Sequence, residues 1–281
     1  MKNFITPAEL SANLDNYILL DVRGYGDYKL SHIPGAFVID MERDLSGPVC
    51  EHGGRHPLPD MDGFAKTLEV YGITKDSQIV VYDSWIFLCG RLWWMLKYLG
   101  ISNVKVLAGG IERWVREGHP LTMEPTKVPT ESSTLEYKIN TSMTMTRDEV
   151  FLASKSQSHI IVDARAPERY SGAVEDTFDG MTGHVPTAIN HFFGHLFTQE
   201  GPRNDEELRK EFKDILDSQS KAEQNNVAKK PIVSYCGSGV TACLTMLAMS
   251  EIGIESALYV GSSSDWVTYE GFPLTTGEEH I

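Results

Sequence analysis

Short runs of apolar and β-branched residues alternate along this chain with longer segments of helical periodicity. The apolar runs have the length of buried strands. They lie at 17–22, 79–82, 159–162 and 232–235, and the helical patterns lie at 63–70, 205–217 and 240–249. Strands that alternate with helices form a mostly parallel sheet with helices on both faces. The pattern therefore predicts the α/β fold class.

The same pattern is present twice. The segment 79–83 reads Ile-Val-Val-Tyr-Asp and the segment 232–236 reads Ile-Val-Ser-Tyr-Cys. The same offset relates Gly100 to Gly253. A repeat of this length indicates two duplicated domains rather than a solenoid of short units.

The two predicted domains span residues 1–123 and 141–281. Each opens with a T-x-x-E sequence, at Thr6 and at Thr146, which predicts a helix with a capping box. Residues 124–140 are rich in Pro, Thr, Ser and Glu, which favours an extended and exposed linker.

Composition excludes several classes of function. The formal net charge of -14 argues against nucleic acid and anionic membrane surfaces as partners. No apolar run is long enough to span a membrane, and the N-terminal sequence lacks a signal-peptide core. The four cysteines form neither a CxxC pair nor a zinc-binding pattern, so we expect no metal and no organic cofactor. Reduced thiols fit a cytoplasmic location.

Cys236 is the candidate nucleophile. It follows the strand 232–235, and the sequence G-S-G then leads into the helix 240–249. Gly237 and Gly239 allow backbone N–H groups to point inward, and the helix N-terminus adds partial positive charge. Both effects favour a thiolate at the carboxyl end of a parallel strand, where sites of such sheets lie. The alternative, an inert core cysteine, is typical of apolar helical runs and fits Cys89 and Cys243 better.

Two further motifs occur in both halves. Asp-x-Arg follows a predicted strand at 21–23 and 163–165, and His-x-Pro follows at 32–34 and 184–186. Because the first half carries Asp83 where the second carries Cys236, motifs shared by both halves need no catalytic role. We interpret the Asp–Arg pairs as structural ion pairs and the histidines as residues that fix turns.

With two such halves and the loop C-G-S-G-V-T-A, the chain resembles the tandem-domain rhodanese family. The loop is most similar to that of the 3-mercaptopyruvate sulfurtransferases, whereas thiosulfate sulfurtransferases typically carry bulky basic residues after the cysteine. The resemblance implies two rhodanese-like domains, of which the first, with Asp83, is not catalytic. It also implies sulfur transfer through a persulfide on Cys236.

The resemblance extends to single positions. Ser238, His56 and Asp40 match residues that are grouped in a proton-relay proposal for the mercaptopyruvate enzymes. A His–Asp pair is chemically able to supply the proton that a pyruvate enolate needs. From the residues alone, His56 is equally a loop histidine packed near prolines, whereas for Asp40 the residues favour a strand-end cap over a relay role.

Arg169 matches an arginine that holds the anionic group of the donor, as a guanidinium suits a carboxylate. The mercaptopyruvate enzymes carry a second arginine nine residues later, where this chain has Phe178. This departure leaves thiosulfate or a persulfide carrier open as the donor. The remaining predicted substrate-binding residues are those of the loop: Gly237, Gly239, Val240 and Thr241.

The predicted activity is transfer of a sulfane sulfur from a small anionic donor, 3-mercaptopyruvate or thiosulfate, to a thiol or to cyanide. A small thiol or a thioredoxin-like protein is the expected thiol acceptor. The alternative is a low-turnover sulfur carrier or regulatory module that a protein partner loads. A cysteine phosphatase is disfavoured because Ala242 stands where an arginine would bind phosphate, and a thiol–disulfide oxidoreductase because no CxxC is present.

Overall fold

The computed structural model describes residues 2–278. The strands are β1 (Phe4–Ile5), β2 (Ile18–Asp21), β3 (Ala36–Val38), β4 (Ile79–Tyr82), β5 (Val104–Leu107), β6 (Ile160–Asp163), β7 (Ala188–Asn190), β8 (Phe197–Thr198), β9 (Gly201–Pro202), β10 (Ile232–Tyr235) and β11 (Ala257–Leu258). The α-helices are α1 (Pro7–Ser11), α2 (Gly24–Leu30), α3 (Met41–Asp44), α4 (Met61–Val70), α5 (Cys89–Tyr98), α6 (Gly110–Arg116), α7 (Arg147–Ser156), α8 (Pro167–Ser171), α9 (Asp205–Glu211), α10 (Lys213–Gln224), α11 (Ala242–Glu251) and α12 (Ser262–Trp266).

The chain divides into two compact units. The first consists of Met1–Pro48, Leu58–Thr141 and Thr198–Pro202, and the second of Val49–Pro57, Ser142–Phe197 and Arg203–Ile281. Two short segments, residues 49–57 and 198–202, thus group with the unit formed mainly by the other half of the chain. The domain bounds given by the sequence stay a prediction.

The first unit is built on a five-stranded parallel sheet with the strand order β1-β5-β4-β2-β3. The central strand β4 is buried along its whole length, as its uninterrupted apolar sequence predicts. Its neighbour β2 pairs with it in register, with Leu20 opposite Val81. Trp114 of α6 is fully buried in the core cluster that packs on this sheet.

The second unit has a four-stranded parallel sheet with the order β11-β10-β6-β7. Strand β10 is buried throughout and pairs with β6 so that Tyr235 lies opposite Asp163. Helix α11 follows β10 and is buried from Ala242 to Met249. Both units confirm the predicted α/β class, with mostly parallel sheets and flanking helices.

A buried Asp–Arg ion pair closes the strand end in each unit. Arg23 Nη2 lies 2.6 Å from Asp21 Oδ2, and Arg165 Nη2 lies 2.6 Å from Asp163 Oδ2. The side chains are 8% exposed or less, so each charge depends on its partner for compensation. The structural interpretation of these motifs is confirmed.

The two shared histidines fix turns, as expected. His32 Nδ1 lies 2.7 Å from the carbonyl oxygen of Tyr28, and His184 Nδ1 lies 2.9 Å from that of Tyr170. Each ring also stacks on the tyrosine to which it is hydrogen-bonded. Within residues 2–278, no helix combines the length and apolar character that crossing a membrane requires.

Candidate active site

Cys236 lies directly after β10 and is only 1% exposed. Its backbone is held on both sides by the turn that begins α12. The Cys236 amide donates to Ser262 Oγ at 3.2 Å, while the Ser263 hydroxyl donates to the Cys236 carbonyl at 2.6 Å. The cysteine backbone is therefore fixed before any donor binds.

The loop after Cys236 turns sharply into α11. Gly239 adopts a φ of +73°, and a Cβ there would lie 2.2 Å from the carbonyl oxygen of Val260. Only glycine is compatible with both conditions. Gly237, Ser238 and Val240 are buried residues whose backbone amides have no hydrogen-bond partner among the described residues. Buried backbone amides are normally hydrogen-bonded. The loop therefore offers N–H donors that an anion bound at the start of helix α11 could accept.

His56 is brought to this loop from a distant part of the sequence. Its Nδ1 lies 2.7 Å from Ser238 Oγ, although 182 positions separate the two residues. The ring tautomer decides which of the two donates. His56 belongs to the segment Val49–Pro57, which is part of the second unit.

Hydrogen bonds from the backbone fasten this segment to the turn at α12. The Gly53 amide donates to Asp265 Oδ1 at 2.7 Å, and the Arg55 amide donates to Ser264 Oγ at 3.0 Å. A Cβ on Gly54 would lie 2.4 Å from the carbonyl oxygen of Gly261. The Gly-Gly pair of the sequence H-G-G-R-H is therefore the local signal that this segment packs closely against other backbone.

Asp40, the third predicted relay residue, lies in the first unit. Its Oδ1 accepts hydrogen bonds from the amides of Glu42 and Arg43, both at 3.1 Å, so Asp40 caps helix α3. A cap at the strand end is the interpretation that the sequence favoured for Asp40, and these contacts agree with it. A part in proton relay stays a prediction.

Arg169 projects from the short helix α8 toward two carboxylates. Its Nε and Nη2 donate to Asp176 Oδ2 at 2.9 and 2.6 Å, and Nη2 also donates to Asp179 Oδ2. Burial lowers the pKa of Arg169, but the two aspartates outweigh burial and raise it. Burial likewise raises the pKa of Asp176, yet hydrogen bonds from Arg169 and from backbone amides hold it below its usual value. Arg169 is thus a fixed cation.

Phe178 stands where the resemblance to the mercaptopyruvate enzymes implies a second arginine, and it is 76% exposed. The structure instead reveals another arginine, Arg55, which the sequence did not single out. Arg55 Nε donates to Asp179 Oδ1 at 2.7 Å, and its Nη2 lies 3.5 Å from Ser238 Oγ.

Asp179 lies directly beside the nucleophile loop. A Cβ added to Gly237 would lie 2.1 Å from Asp179 Oδ2. Oδ1 of this carboxylate accepts a hydrogen bond from Arg55, and Oδ2 accepts one from Arg169. Asp179 therefore connects both arginines to the residue that follows Cys236.

The helical cysteines have the features of core residues. Cys243 is fully buried and donates its thiol to the carbonyl oxygen of Gly239 at 3.4 Å. Cys89 is fully buried too, and burial raises the pKa of its thiol well above the usual value. The burial of both thiols favours the packing role that the sequence suggested for these two cysteines.

Asp83 occupies the corresponding strand end in the first unit. Its Oδ1 accepts from the Ser84 amide at 2.6 Å and its Oδ2 accepts from the Leu88 amide at 2.8 Å. The carboxylate therefore satisfies the amides of its own loop, and it has no sulfur to transfer.

Comparison with known proteins identifies the family. The model of the rhodanese-like domain matches twice, at residues 6–117 and 146–269. This chain belongs to the rhodanese family. The resemblance that the C-G-S-G-V-T-A loop indicated is confirmed, and so is the assignment of one rhodanese-like domain to each half.

Relatives named as sulfurtransferases are similar over most of the chain. A probable 3-mercaptopyruvate sulfurtransferase from Pseudomonas aeruginosa is 34% identical over 98% of this chain and 98% of its own. The thiosulfate sulfurtransferase of Bos taurus is 33% identical over 85% of this chain and 78% of its own. The crystal structure of SseA from Escherichia coli, a 3-mercaptopyruvate sulfotransferase, superimposes with a TM-score of 0.76 at 28% identity, covering 93% of this chain and 99% of that one. The chain is an enzyme of the sulfurtransferase type, and these relatives do not favour the carrier alternative.

Proposed function

We propose that this rhodanese-family enzyme carries a sulfane sulfur on Cys236, from a small anionic donor to a thiol or to cyanide. The observation that supports this most directly is the loop itself. Cys236 is followed by buried amides without a partner among the described residues, at the start of α11, and by a serine that is hydrogen-bonded to His56. Such amides are suited to a thiolate and to a persulfide anion alike.

With thiosulfate as donor, the Cys236 thiolate attacks the outer sulfur. The bond between the new Cys236 persulfide sulfur and the sulfonate sulfur breaks, and sulfite leaves with its electron pair. The cysteine thiolate and the thiosulfate dianion thus become a persulfide anion and a sulfite dianion. No proton is needed in this step.

With 3-mercaptopyruvate, the thiolate attacks the donor's thiol sulfur. The carbon–sulfur bond breaks, and its electron pair leaves as the enolate of pyruvate. The proton of the donor thiol must then move from the new persulfide to the enolate carbon. The hydrogen bond of 2.7 Å between Ser238 and His56 provides a path for that proton.

In the second half-reaction an acceptor attacks the outer persulfide sulfur. A thiol takes this sulfur as its own persulfide and restores Cys236, and cyanide takes it as thiocyanate. For the physiological acceptor we propose a thiol, either a small molecule or a thioredoxin-like protein, in a cytoplasmic setting. The donor class remains 3-mercaptopyruvate or thiosulfate, since relatives of both names are similar to this chain.

The test is intact-protein mass spectrometry after incubation with each donor separately, followed by peptide mapping. We expect an added mass of one sulfur atom on the peptide that contains Cys236. Addition of dithiothreitol should remove it and release hydrogen sulfide. Catalytic turnover with both substrates in excess would distinguish an enzyme from a slow carrier.

Two cysteine variants make the test specific. Cys236→Ser should lose the added sulfur and all transfer, while Cys50→Ser, which changes an exposed cysteine of the segment Val49–Pro57, should keep both. Transfer that persists in folded Cys236→Ser protein would refute the mechanism.

A further inference from the structure

The guanidinium groups of Arg55 and Arg169 lie on opposite oxygens of a single carboxylate, that of Asp179. Asp179 itself is 1% exposed in its side chain, whereas the side chain of Arg55 is 45% exposed and that of Arg169 is 28% exposed. A buried carboxylate thus fixes two cations whose outer faces remain open to solvent. Fixed, partly desolvated guanidinium groups are suited to binding a small anion.

Arg55 is held more firmly than an exposed arginine usually is. Its side chain is anchored on Asp179, and its backbone amide is anchored on Ser264 at 3.0 Å. The preceding Gly54 packs against the carbonyl oxygen of Gly261, leaving no room for a Cβ. The entropy that an exposed side chain loses on binding a ligand is therefore already lost in the folded protein.

Arg55 also lies beside the reacting residues. Its Nη2 is 3.5 Å from Ser238 Oγ, the hydroxyl two residues after the nucleophile. Its Nη1 makes no hydrogen bond within the described residues. Where the resemblance to the mercaptopyruvate enzymes implies a second arginine, this chain has the exposed Phe178.

We propose that Arg55 is the second donor-binding arginine of this enzyme and determines its preference for anionic donors. Arg55 and Arg169 together hold the anionic group of the donor, and Asp179 sets the separation between them. Arg55, in the segment 49–57, thus provides a positive charge that Phe178 does not. This inference rests on the proposed function, because it names a binding residue for the same reaction.

The two half-reactions separate donor binding from the rest of catalysis. Loading of Cys236 involves the anionic donor, whereas discharge of the persulfide to neutral dithiothreitol does not. In Arg55→Gln we expect the donor concentration for half-maximal loading to rise about tenfold, as loss of one charge-assisted contact implies. The discharge rate should stay at the wild-type value. Arg55→Lys, which keeps the charge, should recover part of the loss.

Arg203→Gln is the matched control, because Arg203 is also a partly exposed arginine in an ion pair of the second unit, with Glu207. It should load and discharge like the wild type. Unchanged loading in Arg55→Gln would overturn the proposal. An equal fall of loading and discharge in Arg55→Gln, without recovery in Arg55→Lys, would do so too, because it indicates a structural role. Failure of the proposed function is a separate result, since wild-type Cys236 would then acquire no sulfur from either donor.

Discussion

His56 Nδ1 and Ser238 Oγ are hydrogen-bonded at 2.7 Å, and we propose that this contact contributes to catalysis only in a step that moves a proton. We predict that His56→Gln lowers kcat with 3-mercaptopyruvate by about a hundredfold, a typical loss for general acid–base catalysis. With thiosulfate the same variant should change little, because sulfite leaves without a proton. Steady-state kinetics with both donors measures this difference directly.

His52→Gln is the control for this prediction. His52 lies in the same segment, but its Nδ1 is hydrogen-bonded to Thr268 Oγ1 at 2.8 Å rather than to the nucleophile loop. It should retain activity with both donors. An equal loss with both donors in His56→Gln would show that His56 shapes the loop instead of moving a proton.

Gly237 is constrained by its neighbour rather than by its own backbone. A Cβ there would meet Asp179 Oδ2 at 2.1 Å, and Asp179 is held by both arginines. Gly237→Ala should therefore lower the free energy of unfolding by about 1–3 kcal/mol, as overpacking does. Sulfur loading should fall as well, because the carboxylate or the loop must shift.

Urea unfolding of Gly237→Ala can be compared with that of Gly26→Ala. Gly26 lies within helix α2, and a Cβ at this position would have nothing within 4 Å. Alanine should be neutral or slightly stabilising there. Equal stability of wild-type protein and Gly237→Ala would mean that Asp179 moves at no cost.

At the scale of elements, His191 joins the end of β7 to two helices. It is hydrogen-bonded to Asp214 of α10 at 3.1 Å and lies 3.8 Å from Glu211 at the end of α9. Burial lowers the pKa of His191, but these carboxylates outweigh burial and raise it above 6.5 on balance. The folded protein therefore binds this proton more tightly than the unfolded chain does.

The sign of the pH dependence follows from that shift. The contribution of His191 to stability is complete below the unfolded pKa of 6.5 and is lost as the pH rises through the higher folded value. Urea unfolding across this range should show wild-type protein losing stability relative to His191→Gln as the pH increases. A difference between the two proteins that stays constant with pH would refute this assignment.

Element boundaries show where local patterns stop being sufficient. The sequence predicts one helix over 205–217, whereas the structure has α9 and α10 with a break at Phe212. Phe212 is fully buried, and its backbone departs from helical geometry with a ψ of 26°. Helix α10 then continues to Gln224, seven residues beyond the predicted end at 217. The break thus coincides with a buried aromatic residue, and hydrophobic periodicity along the sequence gives no signal for it.

At the scale of the whole molecule, two rhodanese-like domains contain one nucleophile. We predict one transferable sulfur per chain, measured by mass spectrometry after saturating treatment with donor. Asp83→Cys should not add a second one. The Ser84 and Leu88 amides after Asp83 are placed on the two oxygens of a carboxylate, and the loop, S-W-I-F-L, lacks the glycines that shape the turn after Cys236. A second sulfur, mapped to position 83 of that variant, would contradict this.

The sequence by itself determined the features that depend on neighbouring residues. It predicted the strands around β4 and β10, and it predicted the capping boxes of Thr6 and Thr146, both of which are present. It also indicated the duplicated α/β fold and the C-G-S-G loop at Cys236. Each of these follows from side-chain periodicity, backbone φ preferences or hydrogen bonds within four residues.

Only the tertiary structure decided which distant residues surround that loop. It placed Arg55 and His56 at Asp179 and Ser238, and it gave Asp40 the contacts of a helix cap. Arg55 and Asp179 are 124 positions apart, and their pairing depends on close backbone packing at Gly54. Contacts of this kind follow from how whole elements pack, so no local pattern of the sequence contains them.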